Sequence, residues 1–329
     1  MEIKMSGNCF VGFDTSNYTT SAALCGEDGK IAANLKIPLE VRSGEHGLRQ
    51  SDAVFAHIKN LPRLTDMLGK AIRDSGCRVV GVGVSAYPRR AEGSYMPCFL
   101  CGISAAHSFA AGIGAKIYEF AHQDGHIMAA VYSSGAEERL FGGKFAAFHV
   151  SGGTTEVLVV TPRSCGFDIK LAGETADLNA GQVIDRVGTY LGIPFPCGAG
   201  LEALAGQYNG KIKRPRISVK NCVCNLSGLE NMAAKLYSET QDKCAVAAFV
   251  FDYIERTLEE MCRQLMSVEG EMPVLFAGGV MSNRLMREGL LRSFEAYFAE
   301  PAFSSDNAAG TALLCRRRFM SENGGNELV

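Results

Sequence analysis

The sequence of 329 residues lacks an excess of charge of either sign, since 33 Lys and Arg residues stand against 35 Asp and Glu residues and the net charge is −2. No global basic field favours nucleic acid, so contact with RNA requires a local patch or a partner protein. The chain also lacks an apolar run of about 18 residues, which a membrane-spanning helix needs, and a secretory signal. We expect a soluble, cytoplasmic protein without a membrane partner.

Cysteine is plentiful, with twelve residues, some of them in apolar stretches such as SAALCGEDG and DKCAVAAFVFDY. This pattern favours reduced, buried thiols. Two pairs suggest zinc, namely Cys98 with Cys101 in PCFLC and Cys222 with Cys224 in NCVCN. A CxxC followed far downstream by a CxC is not a regular zinc spacing, so packing in the core is the favoured interpretation.

Histidine is scarce, and two of the six histidines, His122 and His126, lie in FAHQDGH. The run GISAAHSFAAGIGAKIYE before them predicts a helix, and IMAAVYSSG after them is also expected to be ordered. On a helix, the i, i+4 spacing places both imidazoles on one face, which is the arrangement a metal ion requires. A chance pair is the alternative that this motif alone leaves open.

Two segments of the chain resemble each other, FVGFDTSNYTTSAAL at 10–24 and FAAFHVSGGTTEVLV at 145–159. Each has an apolar strand, a small polar turn, Thr-Thr and a second apolar strand, which predicts a β-hairpin. The turn SGGTT can direct backbone N–H groups at a phosphate, although an ordinary hairpin turn is the alternative. Two matching hairpins indicate a duplicated domain.

Duplicated ribonuclease-H-like domains that each open with a hairpin are typical of the actin/sugar-kinase/Hsp70 superfamily. We predict this α/β fold, with a nucleotide in the cleft between the domains. The strands RVVGVGVSA and MPVLFAGGV alternate with apolar helices, as the fold requires. The first domain is predicted at 1–142 and carries the histidine helix. The second is predicted at 143–329, with an inserted segment near 165–240 and a last helix that can pack back on the first domain.

Five blocks in order resemble the tRNA N6-adenosine threonylcarbamoyltransferase family (TsaD), once classed as glycoproteases. HQDGH stands where the family has H-x-E-G-H, and VSGGTTEVLVV is similar to its phosphate loop. The further blocks are GETADLNAGQVIDRVGTYLGIPFPCGAGLEALA, AGGVMSNRLMREGL and SSDNAAGTALL. The resemblance implies a metal-dependent transfer of a threonylcarbamoyl group from threonylcarbamoyl-AMP to adenosine 37 of tRNA, with partner subunits of the same machinery.

The resemblance also implies a ligand set for one divalent metal ion, consisting of His122, His126 and Asp306. His149 occupies the position of a tyrosine ligand in archaeal members. Three imidazoles and a carboxylate suit Fe or Zn better than a hard cation.

For the nucleotide, which would be ATP, AMP or threonylcarbamoyl-AMP, the resemblance implies ribose and base contacts from Asp185, Gly198, Glu202 and Asn283. Ser151, Gly152 and Gly153 would hold the phosphate. The pattern alone leaves open that Asp185 and Glu202 are exposed helix charges.

Asp14 in the first hairpin is the candidate general base or nucleophile-orienting group. The chain departs from the family nearby, because Tyr18 and Thr19 replace two acids of the opening motif and AYPRRAEGSYMP replaces A-G-P-G-L. These changes indicate a divergent paralogue, so the acceptor substrate of the transfer is not identified by the resemblance.

Other functions therefore stay open. An ATP-binding regulatory module without turnover and carbamoyl transfer to a small molecule are the main alternatives. A sugar-type kinase is disfavoured by the histidine pair, since kinases of this fold use carboxylate-held Mg²⁺. A metallopeptidase is disfavoured because Gln123 stands where H-E-x-x-H has its catalytic glutamate.

The stretch YNGKIKRPRISVKNCVCNL, residues 208–226, is the most basic part of the chain. We expect a strand-and-loop segment there. Its basic residues are the local candidates for phosphate contacts with tRNA, and a merely solvated face is the alternative.

Overall fold

The computed structural model describes residues 7–16, 18–40, 48–304 and 306–323. The chain begins with β1 (Asn8–Asp14), β2 (Thr19–Gly26), β3 (Ile31–Pro38), α1 (Gln50–Ser75), β4 (Arg78–Tyr87), α2 (Phe99–Ile113), β5 (Lys116–Ala121) and α3 (His122–Ser133). It continues with α4 (Glu137–Phe141), β6 (Phe145–Val150), β7 (Thr155–Arg163), β8 (Gly166–Glu174), α5 (Ala180–Tyr190), α6 (Gly198–Ala205), β9 (Val219–Lys220), β10 (Val223–Cys224), α7 (Ser227–Thr240) and α8 (Lys243–Glu269). The last elements are β11 (Val274–Ala277), a 3-10 helix (Gly279–Ser282), α9 (Arg284–Ser293), β12 (Ala296–Phe298), α10 (Pro301–Ser304) and α11 (Ala309–Asn323).

The described residues form two compact units. The first contains the residues up to Ser133, Pro162–Phe167 and those from Phe303 onwards, and the second contains Ser134–Thr161 and Asp168–Ala302. Helix α11 therefore belongs to the first unit although it ends the described chain. The domain boundary predicted between residues 142 and 143, and the insertion predicted near 165–240, stay predictions.

Each unit contains a five-stranded sheet, and the two strand orders correspond. The first sheet has the order β3-β2-β1-β4-β5, and the second, read in the same sense, has the order β8-β7-β6-β11-β12. In both, the first strand of the unit pairs antiparallel with the next strand and parallel with a later one. Phe13 pairs with Ala22 in the first hairpin and Phe148 with Val157 in the second. The two predicted hairpins are thus confirmed as equivalent parts of two sheets.

The central strands are apolar because both of their faces are covered. Cys9 to Asp14 of β1 are all buried, with α11 and α2 both in contact with this strand. In the second unit, α8 supplies fourteen buried residues along its length. The Asp242 side chain caps this helix by accepting hydrogen bonds from the N–H groups of Cys244 and Ala245, which satisfies two donors at its N-terminus.

Two predictions from the sequence are wrong in detail. The helix predicted through GISAAHSFAAGIGAKIYE ends at Ile113, because Gly114 adopts a left-handed conformation with φ 66°. The residues that follow Ala115 form β5. The thiols are not all reduced either, because Cys9 and Cys77 form a disulfide while the other ten cysteines are free. No helix among the described residues is both long and apolar enough to cross a membrane.

A half-buried carboxyl group on α8 makes the stability of the second unit depend on pH. Glu255 lies against Gly289 of α9, where a Cβ atom would overlap the carboxyl group. Burial, together with the nearby carboxylates of Glu259 and Asp252, raises the pKa of Glu255 to about 7. Its pKa in an unfolded chain is about 4.3, so the native state binds the additional proton between these values. The contribution of Glu255 to the free energy of unfolding is therefore present at low pH and is lost as the pH rises through about 7.

We predict that Glu255→Gln, which keeps the shape of a protonated glutamate, stabilises the protein at pH 8 but not at pH 5. The difference in unfolding free energy should be on the order of 1 kcal/mol, since partial exposure screens the interaction. Urea denaturation at the two pH values measures it, with Glu288→Gln at an exposed position of α9 as the control. An equal effect of Glu255→Gln at both pH values would contradict the prediction.

Candidate functional site

The histidine pair lies at the start of α3, which follows β5 without a loop. His122 and His126 are one turn apart, as predicted, and their rings meet edge to face with centroids 4.2 Å apart. The next turns of α3, from Ile127 to Val131, are buried. The helix therefore presents both imidazoles from a fixed backbone.

Asp306 comes from the segment that precedes α11 and faces both imidazoles. Its Oδ1 lies 3.2 Å from His126 Nε2 and 3.7 Å from His122 Nε2. Burial disfavours the ionised form, but the hydrogen bond from His126 and the charges of both histidines outweigh burial and lower the pKa of Asp306 to about 2. The carboxylate is thus ionised at neutral pH.

Glycine contacts set the position of Asp306. A Cβ atom on Gly310 of α11 would overlap the carbonyl of Gly125, which lies between the two histidines. A Cβ atom on Gly12 of β1 would lie 2.6 Å from the backbone nitrogen of Ala312. Helix α11 consequently lies directly on α3 and β1, and Asp306 reaches the imidazoles from the segment just before this helix.

Asp14 supports the pair from the other side of His122. It is 1% exposed, its Oδ2 lies 2.8 Å from His122 Nδ1, and it accepts hydrogen bonds from the Ser85 hydroxyl and the Ser16 N–H. Burial raises the pKa of Asp14, but the charge and hydrogen bond of His122 outweigh this and lower it. A buried carboxylate with a lowered pKa is a weak base, so the geometry favours an orienting role.

The donor set fits a transition metal ion. One ligand atom each from His122, His126 and Asp306 lie within 4.8 Å of one another, and tetrahedral ligands of zinc are about 3.3 Å apart. The Asp14 contact at Nδ1 of His122 leaves Nε2 for a metal, which is the usual support for a histidine ligand. Among the residues that the structure describes, no other group of three His, Cys, Asp or Glu side chains converges in this way.

The buried cysteine pairs take no part in such a group. Cys98 and Cys101 are both buried, as are Cys222 and Cys224. Burial raises the pKa of Cys98 and of Cys224 to about 11. These thiols pack as core residues, which agrees with the favoured interpretation of their spacing.

An ion pair that the sequence did not indicate holds the first turn of α3. Arg90 donates to Oδ2 of Asp124 from Nε over 3.0 Å and from Nη2 over 2.7 Å, and the Asp124 side chain is fully buried. The N–H of Gln123 also donates to the Pro88 carbonyl. The divergent segment AYPRRAEGSYMP is therefore tied to the histidine helix. Asp124 stands where the family has glutamate, but nothing in the sequence indicated Arg90 as its partner.

His149, the fourth predicted ligand, lies on β6 of the second unit, where it pairs with Glu156 of β7. Its convergence with the ligands of the first unit stays a prediction.

The predicted phosphate loop is the turn between β6 and β7. The N–H of Ser151 donates to the Thr154 carbonyl over 2.7 Å, and the Ser151 hydroxyl accepts from the N–H groups of Gly153 and Thr154 over 3.2 and 3.1 Å. A Cβ atom on Gly152 or Gly153 would meet nothing within 4 Å. The backbone of this loop is therefore open to a ligand.

A cavity of about 370 Å³ lies next to this loop, within the second unit. This size is within the range of small-molecule sites. Five predicted nucleotide residues line it, namely Gly152, Asp185, Gly198, Glu202 and Asn283. Other lining residues that were not assigned include Gly181, Pro196, Phe251 and Gly279. Gly181, Pro196 and Gly279 fall inside the motif blocks quoted above, so the motifs contained a signal for them.

The polar groups of the cavity are held by the backbone around them. Asp185 Oδ1 accepts from the Cys197 N–H over 2.9 Å, and Glu202 Oε1 accepts from the Arg284 N–H over 2.9 Å. The side-chain oxygen Oδ1 of Asn283 caps α9 by accepting a hydrogen bond from the N–H of Met286. Its Nδ2 is buried and has no hydrogen-bond partner among the described residues. A buried donor without a partner is costly unless a ligand satisfies it, and it supports a polar ligand in this cavity.

Residues 44–313 match the TsaD family, described as tRNA N6-adenosine threonylcarbamoyltransferase. Among solved structures, HypF from T. kodakarensis has a TM-score of 0.56 at 13% identity over 97% of this chain and 49% of that protein. A ROK family glucokinase from Streptomyces griseus has a TM-score of 0.50 at 13% identity, covering 94% of this chain and 99% of the kinase.

At such low identity these structures inform on the fold alone, and they confirm the predicted actin/sugar-kinase/Hsp70 class. The match to the family covers most of the chain and contains the histidine helix, the predicted phosphate loop and Asp306. The chain therefore belongs to the TsaD family of transferases.

Proposed function

We propose that this protein transfers a threonylcarbamoyl group from threonylcarbamoyl-AMP to N6 of adenosine 37 in tRNA. The bond between the carbamoyl carbon and the phosphate oxygen breaks, a carbon–nitrogen bond to N6 forms, the N6 proton is lost and AMP leaves. The match to the TsaD family over residues 44–313 is the observation that carries the proposal.

The cavity of the second unit is the proposed site for the adenylate. The open backbone at Gly152 and Gly153 would receive the phosphate, where N–H groups neutralise charge as AMP departs. Asp185 and Glu202 each use one oxygen for a backbone N–H in the described structure, and the other oxygens would accept from ribose hydroxyls. Asn283 Nδ2 would donate to the nucleotide.

His122, His126 and Asp306 are the proposed ligands of an Fe or Zn ion, with His149 as a further candidate. When bound, such an ion supplies Lewis acidity towards acyl or phosphate oxygens. Asp14 and Ser85 would fix the ring of His122. For Asp14 we propose this orienting role in place of proton abstraction, because its oxygens are engaged and its pKa is lowered.

The acceptor requires a basic surface that a chain of net charge −2 supplies only locally. Partner subunits are therefore part of the proposal, since they can extend the contact with tRNA.

The first prediction from this proposal concerns metal content. Purified protein should hold about one Fe or Zn per chain, and the double variant His122→Ala/His126→Ala should lose most of it. Asp14→Asn should keep the ligands but lower the metal affinity about 10- to 100-fold, because it loosens the support of His122. Elemental analysis after dialysis and competition with a chelator give both values.

His107→Ala is the control, because His107 lies on α2 of the same unit and bonds only to the exposed Glu119 among the described residues. Unchanged metal in the double variant would contradict the ligand set.

The activity itself is tested by incubating the metal-loaded protein with unmodified tRNA, threonine, bicarbonate, ATP and the enzyme that makes the adenylate. Mass spectrometry of the digested tRNA should show threonylcarbamoyladenosine in the presence of the native partner subunits. Asn283→Ala should lower the rate at subsaturating adenylate, because it removes a donor from the cavity.

Release of AMP without a modified nucleoside would point to another acceptor. Binding of ATP without any transfer, with partners present, would favour a regulatory module and contradict the proposal.

A further inference from the structure

The segment between α6 and β10 differs from the rest of the surface in charge. Between Glu202 and Glu230 the chain contains five cationic residues and no carboxylate. These are Lys211, Lys213, Arg214, Arg216 and Lys220, all of them exposed. We call residues 209–220 the basic strap. Against a net charge of −2 for the whole chain, this is a strong local excess of positive charge.

The strap is ordered without helix or strand from residue 209 to residue 218. Its apolar residues Ile212, Ile217 and Val219 pack against the core of the second unit. The Arg256 guanidinium of α8 donates to the Pro215 carbonyl over 3.0 Å, and the Ser218 carbonyl accepts from the N–H of Asn225. The strap is thus fixed with its apolar side inward and its cations outward.

Most of these cations are not neutralised within the described part of the chain. Arg214 bonds to Asp252, which Arg256 also contacts, so that one carboxylate serves two guanidinium groups. Lys213 lies 3.8 Å from Glu239, a distance at which an exposed pair contributes little. Lys211, Arg216 and Lys220 form no ion pair with any described residue, so the strap keeps a positive charge.

The strap follows, in the sequence, a helix that lines the proposed adenylate cavity. Three residues separate it from α6, which supplies Gly198 and Glu202 to the cavity lining. Evenly exposed cations on an extended segment, without a closed pocket, suit a repeating charge such as the phosphates of RNA.

We propose that the basic strap is the surface of this chain that binds the phosphate backbone of the tRNA acceptor. This inference rests on the proposed function for the identity of the RNA. The choice of the strap as the binding surface rests on its charge pattern and does not depend on that function.

The test compares two triple variants that each remove three positive charges. The strap variant is Lys211→Gln/Lys213→Gln/Arg216→Gln, in which Arg214 stays paired with Asp252. The control variant is Lys59→Gln/Arg63→Gln/Lys70→Gln, at three exposed positions of α1. Binding of fluorescently labelled tRNA is measured over a range of potassium chloride concentrations, with thermal unfolding as a check on folding.

Counterion release predicts that log K falls with log salt with a slope of about −0.7 to −0.9 per phosphate contact. The strap variant should therefore lose about 2 units of slope, together with at least a tenfold loss of affinity at low salt. The control variant should bind as the wild type does. Equal losses in both variants, no loss in the strap variant, or no measurable binding by the wild type would overturn the inference.

A further arm separates RNA from an acidic protein partner, because poly-aspartate at equal charge should compete much more weakly than tRNA. Competition as strong as that of tRNA would overturn the assignment to RNA.

Failure of the strap is distinguishable from failure of the proposed function. A strap variant that binds tRNA normally while the wild type makes the modified nucleoside rejects only the strap. Loss of tRNA binding by the strap variant without any modification by the wild type rejects only the reaction.

Discussion

Backbone segments in direct contact, which glycine permits, determine where both candidate sites form. In the first unit, Gly12 and Gly310 let α11 lie on β1 and α3 without intervening side chains. Asp306 precedes this helix by three residues, so the contact carries its carboxylate to 3.2 Å from His126. A larger side chain at either glycine would separate the carboxylate from the imidazoles. The donor set is thus a product of helix packing more than of local sequence.

The same constraint shapes the second unit. A Cβ atom on Gly181 would lie 2.6 Å from the backbone nitrogen of Gly152, so α5 begins directly against the predicted phosphate loop. Gly278 has φ 100°, and a Cβ there would overlap the Val150 carbonyl. Gly153 and Gly279 differ from these, because a Cβ on either would meet open space. One class of glycine permits packing between elements, and the other leaves room for a ligand.

The sequence indicated those features that depend on local pattern or on the order of motifs. The hairpins, the helical histidine pair and the strand that precedes the 3-10 helix were predicted from periodicity and turn residues. The contact of Asp14 with His122 joins residues 108 positions apart, and no local pattern encodes it. The Arg90–Asp124 pair likewise joins residues that are distant in sequence, so no local pattern encodes it. Strand β5 was missed because small residues continue past Ile113, and only the backbone conformation of Gly114 ends the helix.

The central claim is that open glycine backbone in the second unit holds an adenylate, and calorimetric titration with AMP tests it most directly. Gly153→Val should fold normally, because nothing lies within 4 Å of its Cβ position, yet it should weaken AMP binding at least tenfold by filling the space for the phosphate. Gly143→Val makes the same change at another open position of this unit and should bind AMP as the wild type does. A Gly153→Val protein that binds AMP with wild-type affinity would contradict the claim.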